Sequence, residues 1–109
     1  MYSPAMPTRP IERTISKRAT HDSEFRAALV AEALKCLCEN DVATAKSILR
    51  TYVMTAIGFE ELGRRMGERP ESLIRMMSDK GNPSLSKLAA LLSAIKTHDG
   101  VNIEVRGTL

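Results

Sequence analysis

The sequence is poor in aromatic side chains. Only 4% of its 109 residues are aromatic, and tryptophan is absent. Apolar residues still make up 43% of the chain, which is enough for one domain with one modest core. Such a core has to be built from Leu, Ile, Val, Met and Ala, and this composition favours helices over a β-sandwich.

Cysteine is also scarce, and the two thiols are Cys36 and Cys38. They stand two residues apart in a segment predicted to be helical, so they point about 200° away from each other. That spacing does not allow them to pair readily or to chelate one metal ion. We therefore expect two small core or boundary residues in a reducing, cytoplasmic setting. Metal ligands are too sparse for a zinc site, and no cofactor is expected.

Long apolar runs are missing as well. No stretch approaches the ~20 apolar residues that span a membrane, and the first residues contain no apolar core of a secretion signal. Catalytic constellations are equally absent: His21 and His98 adjoin Asp22 and Asp99 in predicted loops, but no nucleophile accompanies them. We expect neither a membrane protein nor an enzyme.

The first 21 residues differ from the rest of the chain. Pro4, Pro7 and Pro10 interrupt any helix there, and four basic side chains face a single acid, Glu12. This composition predicts an arm that is extended or disordered in isolation. Such an arm is either a flexible tail without a function of its own or a functional segment. A functional arm would bind a DNA backbone or fold onto a partner protein.

From Asp22 onwards the apolar residues repeat at helical spacing, which predicts a helical domain over residues 22–97. Asp22 or Ser23 is placed to cap the first helix, and Gly58 to stop the second. Five helices are expected, and their predicted bounds are about 22–38, 42–57, 59–66, 70–79 and 85–96.

The tail over residues 98–109 changes period. Val101, Ile103 and Val105 alternate with polar residues, which is a strand pattern. Because a lone strand cannot satisfy its hydrogen-bonding ladder, a strand here would have to pair with a partner chain or a symmetry mate.

The segment from residue 59 to residue 78 carries the functional prediction, because it satisfies the demands of a helix-turn-helix. Gly63 supplies a small residue where two helices touch. Gly67, four residues later, tolerates a positive φ at the turn. Pro70 suits the first turn of the second helix. Apolar residues are placed to hold the two helices together: Leu62, Met66, Leu73, Met76 and Met77.

At 100° per residue, the opposite side of the second helix faces outward. A recognition helix presents such residues to the major groove, and arginines there can pair with guanine. The groove-facing candidates are Arg69, Glu71, Arg75 and Ser78, and Ser72, Ile74 and Asp79 flank this face. The candidates for phosphate contacts are Arg64, Arg65, Lys80 and Lys87. An ordinary corner between two helices would show the same glycine spacing, so the spacing also fits a motif that does not bind DNA. The charge adds little support for DNA binding, because the segment from Phe59 to Lys80 holds five basic and five acidic residues.

The run FEELGRRMGERPESLIRMMSDKGNPSLSKLAALLSAI resembles the lambda-repressor/Cro-like helix-turn-helix domains. More narrowly, LIRMMSDKGNPSLSKL is similar to the putative addiction-module antidote proteins, the HigA-type antitoxins. The resemblance extends over about residues 25–95, and the Gly-Asn-Pro-Ser block is its most specific part. Where such sequences usually have Ala at the helix contact, this chain has Gly63.

The resemblance implies a five-helix, lambda-repressor-like domain that represses its own operon as a homodimer. It also implies a partner toxin of the RelE/HigB type. By position, it assigns the DNA-facing side to Arg69, Pro70, Glu71, Ile74, Arg75 and Ser78.

Two functions are therefore open. The first is a sequence-specific transcriptional regulator that binds operator DNA as the antitoxin of a toxin-antitoxin module. The alternative is a protein-interaction module with a vestigial helix-turn-helix, in which the arm and the tail bind a toxin or another partner.

Overall fold

A computed structural model describes residues 22–109, and the predicted arm over residues 1–21 lies outside this range. Within it the chain forms five α-helices and one π-helical segment, and no strand. The predicted all-α, five-helix class is confirmed. The elements in chain order are α1 (Ser23–Cys38), α2 (Val42–Tyr52), the π segment (Val53–Ile57), α3 (Phe59–Met66), α4 (Pro70–Met76) and α5 (Leu85–Asp99).

The first two helices begin at aspartate caps. The Asp22 carboxylate accepts a hydrogen bond from the Phe25 backbone N–H at 3.1 Å, and Asp41 accepts one from Thr44 at 3.2 Å. Between the helices, Asn40 takes a positive φ of 63° and turns the chain back. As a result, α1 and α2 pack against each other along much of their length.

The core lies where all five helices meet, and it is almost wholly aliphatic, as the composition predicts. Tyr52 is its one aromatic member. Because each helix contributes a few apolar side chains, no helix can leave the bundle without exposing them. The buried members are Val30, Ala33, Leu49, Tyr52, Val53, Leu62, Leu73, Met77, Leu91 and Ile95.

The prediction of one regular helix over residues 42–57 is wrong in its last part. The α-helix ends at Tyr52, and Val53–Ile57 winds more widely, so that the Gly58 N–H donates to the Val53 carbonyl at 2.6 Å. The Thr55 hydroxyl donates to the Thr51 carbonyl at 2.8 Å and competes with the backbone there. Gly58, with a φ of 85°, then stops the helix as predicted.

The predicted ends of the last two helices also need correction. The second helix of the motif ends at Met76 rather than Asp79, and side chains of α2 bind the carbonyls of the residues that follow. The last helix continues past Lys96 to Asp99, and Gly100 closes it in the left-handed conformation. His98 and Asp99 therefore lie in a helix and not in the predicted loop.

The predicted strand in the tail does not form among residues 100–109. The ladder has no partner within the described chain, so the alternating pattern serves packing instead. Val101 is buried and Ile103 is half-buried against the core, whereas Val105 is exposed. The tail lines an open groove together with α1.

One ion pair ties the two ends of the described chain together. The Asp99 carboxylate on α5 accepts two hydrogen bonds from the Arg26 guanidinium on α1, at 2.8 and 3.0 Å. The buried Tyr52 on α2 donates its O–H to the same carboxylate. Burial disfavours the charged carboxylate, but the hydrogen bonds from Arg26 and Tyr52 outweigh it, and the pKa of Asp99 is lowered.

Candidate nucleic-acid interface

Helices α3 and α4 meet at the tight corner that the glycine spacing predicts. Gly67 is left-handed, with a φ of 68°, and ends α3. Pro70 is the first residue of α4. Gly63 lies so close to the turn that a Cβ built on it would stand 2.5 Å from the Glu68 carbonyl oxygen. Both glycines and the proline therefore have the roles assigned to them.

The inner side of the corner is apolar. Leu62 on α3 and Leu73 on α4 are buried, as is Met77 just after α4. Met66 and Met76 are half-buried against them. The predicted inward face of the second helix is confirmed.

Replacing Gly63 with alanine is expected to destabilise the protein by about 1–2 kcal/mol, although alanine favours a helix by about 1 kcal/mol. The added methyl group would overlap a backbone carbonyl, so the turn would have to move. Urea unfolding of both proteins measures the difference. The control is Gly107→Ala, because nothing lies within 4 Å of a Cβ there. An unchanged or higher stability for Gly63→Ala would contradict the close contact.

The outer side of α4 is polar and accessible. Arg69, Glu71 and Arg75 are exposed, and Ile74 is 48% exposed. The remaining predicted contacts are less accessible, since Pro70, Ser72 and Ser78 are half-buried. The Ser78 hydroxyl donates to the Arg75 carbonyl at 2.6 Å, so it caps the helix end.

Two basic side chains of α2 hold the end of α4. Lys46 is only 8% exposed, and its ammonium group donates to the carbonyls of Ser78, Asp79 and Gly81 at 2.9, 3.2 and 2.6 Å. Arg50 donates to the Met77 carbonyl at 2.7 Å. Because helix C-terminal carbonyls carry partial negative charge, these cations satisfy them and fix the end of the helix.

Gly81 brings the following loop against this helix end. A Cβ at this position would overlap the carbonyl oxygens of Arg75 and Met76. Only a glycine permits so close an approach between the loop and the last turn of α4. This explains the glycine of the Gly-Asn-Pro-Ser block, for which the sequence offers no local reason.

The basic residues of α3 are paired within the helix. Glu61 accepts hydrogen bonds from Arg64 through one carboxylate oxygen and from Arg65 through the other, the latter at 2.8 Å. The hydrogen bonds from Arg64 and Arg65 lower the pKa of Glu61. Lys87 on α5 likewise pairs with Glu68. Three of the predicted phosphate contacts are thus already engaged with carboxylates.

The basic residues on α4 and at its two ends are not paired with carboxylates in this way. Arg69, Arg75 and Lys80 form no ion pair with any residue of the range 22–109. A shallow depression of about 560 Å³ lies beside two of them. Its lining is Ser72, Arg75, Met76, Ser78, Lys80, Gly81 and Asn82.

The pairing of Glu61 was legible in the sequence, because acid and base stand three and four residues apart on one helix. The role of Lys46 was harder to predict from the sequence. This residue falls at the edge of the apolar row of α2, three residues before the buried Leu49, and such a position only hints at burial. Its three carbonyl partners lie more than 30 residues away along the chain.

The remaining chemistry of the described residues is limited. Cys36 is buried and Cys38 is exposed, and both are free thiols. In the range 22–109 no three His, Cys, Asp or Glu side chains are grouped to hold a metal ion. None of the helices described is long and apolar enough to cross a membrane.

Comparisons of this chain with protein-family models, with curated proteins and with solved structures found no match.

Proposed function

We propose that this protein is a sequence-specific regulator that binds double-stranded DNA through α3 and α4. The observation that carries the proposal is the exposed side of α4, where Arg69, Arg75 and Lys80 have no carboxylate partner among the described residues. Unpaired cations beside an exposed helix are suited to an anionic groove. The tight corner and the anchored helix end support it, because they hold this side rigidly.

In this proposal α4 enters the major groove. Arg69 and Arg75 pair with guanine, and Ile74 contacts a thymine methyl group. Lys80, in the loop beyond the helix, contacts a backbone phosphate and positions the protein without reading sequence. Glu71 is acceptable in the groove when it accepts a hydrogen bond from a cytosine amino group.

We further propose the antitoxin role that the resemblance to HigA-type proteins implies. The protein would act in the cytoplasm as a homodimer on the operator of its own operon and would bind a RelE/HigB-type toxin. The segment from Phe59 to Lys80 is electrically balanced. Tight binding would therefore need two recognition helices or the basic arm.

Arg75→Ala is expected to weaken binding to the operator by about 10- to 100-fold and to relax specificity at one base pair. Lys80→Ala should weaken operator and random DNA alike and flatten the salt dependence by about one phosphate contact. Gel shifts with the upstream region and a shuffled fragment, over a range of salt concentrations, measure both effects.

The matched control is Lys96→Ala. Lys96 is exposed near the end of α5 and pairs with no acid in the range 22–109. Its replacement should change affinity little. The specific-regulator proposal fails when the wild-type protein binds the upstream region no better than the shuffled fragment.

A second candidate function, the protein-interaction module, is favoured by the groove between α1 and the tail. Its lining includes Val30, Leu34 and Ile103, and Val105 at its edge is 92% exposed. This function would be supported if the protein captures, in the absence of DNA, a purified toxin encoded by the neighbouring reading frame. If Val105→Asp abolishes that capture, the toxin binds at the groove.

A further inference from the structure

The carboxylate of Glu61 is shared between two arginines in the way that a phosphate would be. Arg64 reaches one oxygen through its Nε at 3.1 Å and through an Nη, and Arg65 reaches the other oxygen through its Nε. Guanidinium groups bind carboxylates and phosphates with the same fork of N–H donors. The two arginines are therefore occupied by a group that competes with DNA phosphates for the same donors.

Packing does not keep these arginines from the solvent. The Arg64 side chain is 74% exposed and the Arg65 side chain 32% exposed, whereas Glu61 is 29% exposed. Their hydrogen-bonding partner within residues 22–109 is Glu61. By contrast, Arg69 and Arg75, at the start and within the last turn of α4, have no such partner in the described part of the chain.

We propose that Glu61 withholds Arg64 and Arg65 from the DNA backbone and so restrains the sequence-independent part of DNA binding. The inference rests on the proposed function, since it concerns the same surface. Phosphate contacts raise affinity for every sequence alike, whereas base contacts discriminate. One carboxylate shared by two arginines lowers their combined charge from +2 to +1, and this lets the side chains of α4 contribute a larger share of the binding energy. Glu61 is thus a residue that lowers sequence-independent affinity by acting through Arg64 and Arg65.

The test is Glu61→Gln, which preserves the shape of the side chain and removes its charge. We expect it to raise affinity for operator and random duplexes by a similar factor, about three- to tenfold at low salt, and so to leave the ratio of the two affinities unchanged. The slope of log K against log salt should steepen by about 1–2, because up to two phosphates are newly contacted. Fluorescence anisotropy of labelled duplexes measures affinity and slope together.

Two comparisons separate this mechanism from a general charge effect. Glu60→Gln removes the neighbouring exposed carboxylate, which pairs with no arginine of the described chain, and it should leave the salt slope unchanged. In an Arg64→Ala/Arg65→Ala background, Glu61→Gln should no longer raise affinity. Because a change in helix stability alone would not steepen the slope, the slope distinguishes electrostatic release from a structural effect.

The outcomes are distinct. The role of Glu61 is overturned if the wild-type protein binds DNA but Glu60→Gln and Glu61→Gln have equal salt slopes. It is also overturned if Glu61→Gln raises affinity undiminished in the double-alanine background. Both outcomes leave the proposed function standing. A wild-type protein that binds no duplex even at low salt overturns both.

Discussion

Asp99→Asn is expected to lower the free energy of unfolding by about 3 kcal/mol, at the lower end of the range for a broken buried ion pair. The Asp99 side chain is only 10% exposed and that of Arg26 17%. An asparagine removes the charge that pairs with Arg26 at 2.8 Å and turns an amide group towards donors. The loss falls on three helices at once, because the carboxylate joins α1, α2 and α5.

Urea denaturation at neutral pH measures this loss. Tyr52→Phe removes one hydrogen bond from the same carboxylate and should cost less, about 1–2 kcal/mol. Glu104→Gln is the control, since Glu104 is exposed and forms no ion pair with residues 22–109. Equal stabilities for Asp99→Asn and Glu104→Gln would show that the ion pair contributes nothing.

The pH dependence gives an independent check of the same contact. Because the pKa of Asp99 is lowered on folding, its contribution is fully present above its unfolded-state pKa of about 3.9. It is lost as the pH falls through the lower value of the folded state. The difference in stability between the wild-type protein and Asp99→Asn should therefore be constant near neutral pH and shrink below about pH 4.

Gly81→Ala is the second large effect, with an expected loss of about 3 kcal/mol. Its methyl group would overlap backbone carbonyls of Arg75 and Met76, and neither can rotate away as a side chain would. The loop would have to withdraw from α4. That movement would also displace the Gly81 carbonyl, which accepts the 2.6 Å hydrogen bond from Lys46.

Thermal and urea unfolding of Gly81→Ala should be compared with those of Gly107→Ala, where a Cβ meets open space. Both substitutions reduce the conformational entropy of the unfolded chain similarly. The difference between their free energies of unfolding therefore reports the overlap of the methyl group added at Gly81 with the backbone of α4. DNA binding by Gly81→Ala should fall together with stability, because the end of α4 loses its support. A fully stable Gly81→Ala would refute the close approach.

The local features of the candidate site were predictable because neighbouring residues determine them. The contact at Gly63, the left-handed turn at Gly67 and the start of α4 at Pro70 depend on short-range sterics and on a period of 3.6 residues. The same period identified the inward row that includes Leu73. Helix ends were less predictable, as the early end of α4 and the π segment after Tyr52 illustrate.

The features missed by sequence analysis join residues that are far apart in the chain. Arg26 and Asp99 are separated by 73 positions, and Lys46 and Gly81 by 35. A periodic pattern assigns each of them to a helix or a loop but does not say which partner it meets.

The sequence by itself determined an all-α domain, a glycine-based corner and a polar outer face on α4, because composition, periodicity and turn chemistry are properties of short segments. Only the tertiary structure decided which distant groups the cations of α1 and α2 meet. Packing of the helices placed Lys46 against the end of α4 and Arg26 against Asp99. The tail was decided in the same way, since a strand needs a partner and the described chain provides none.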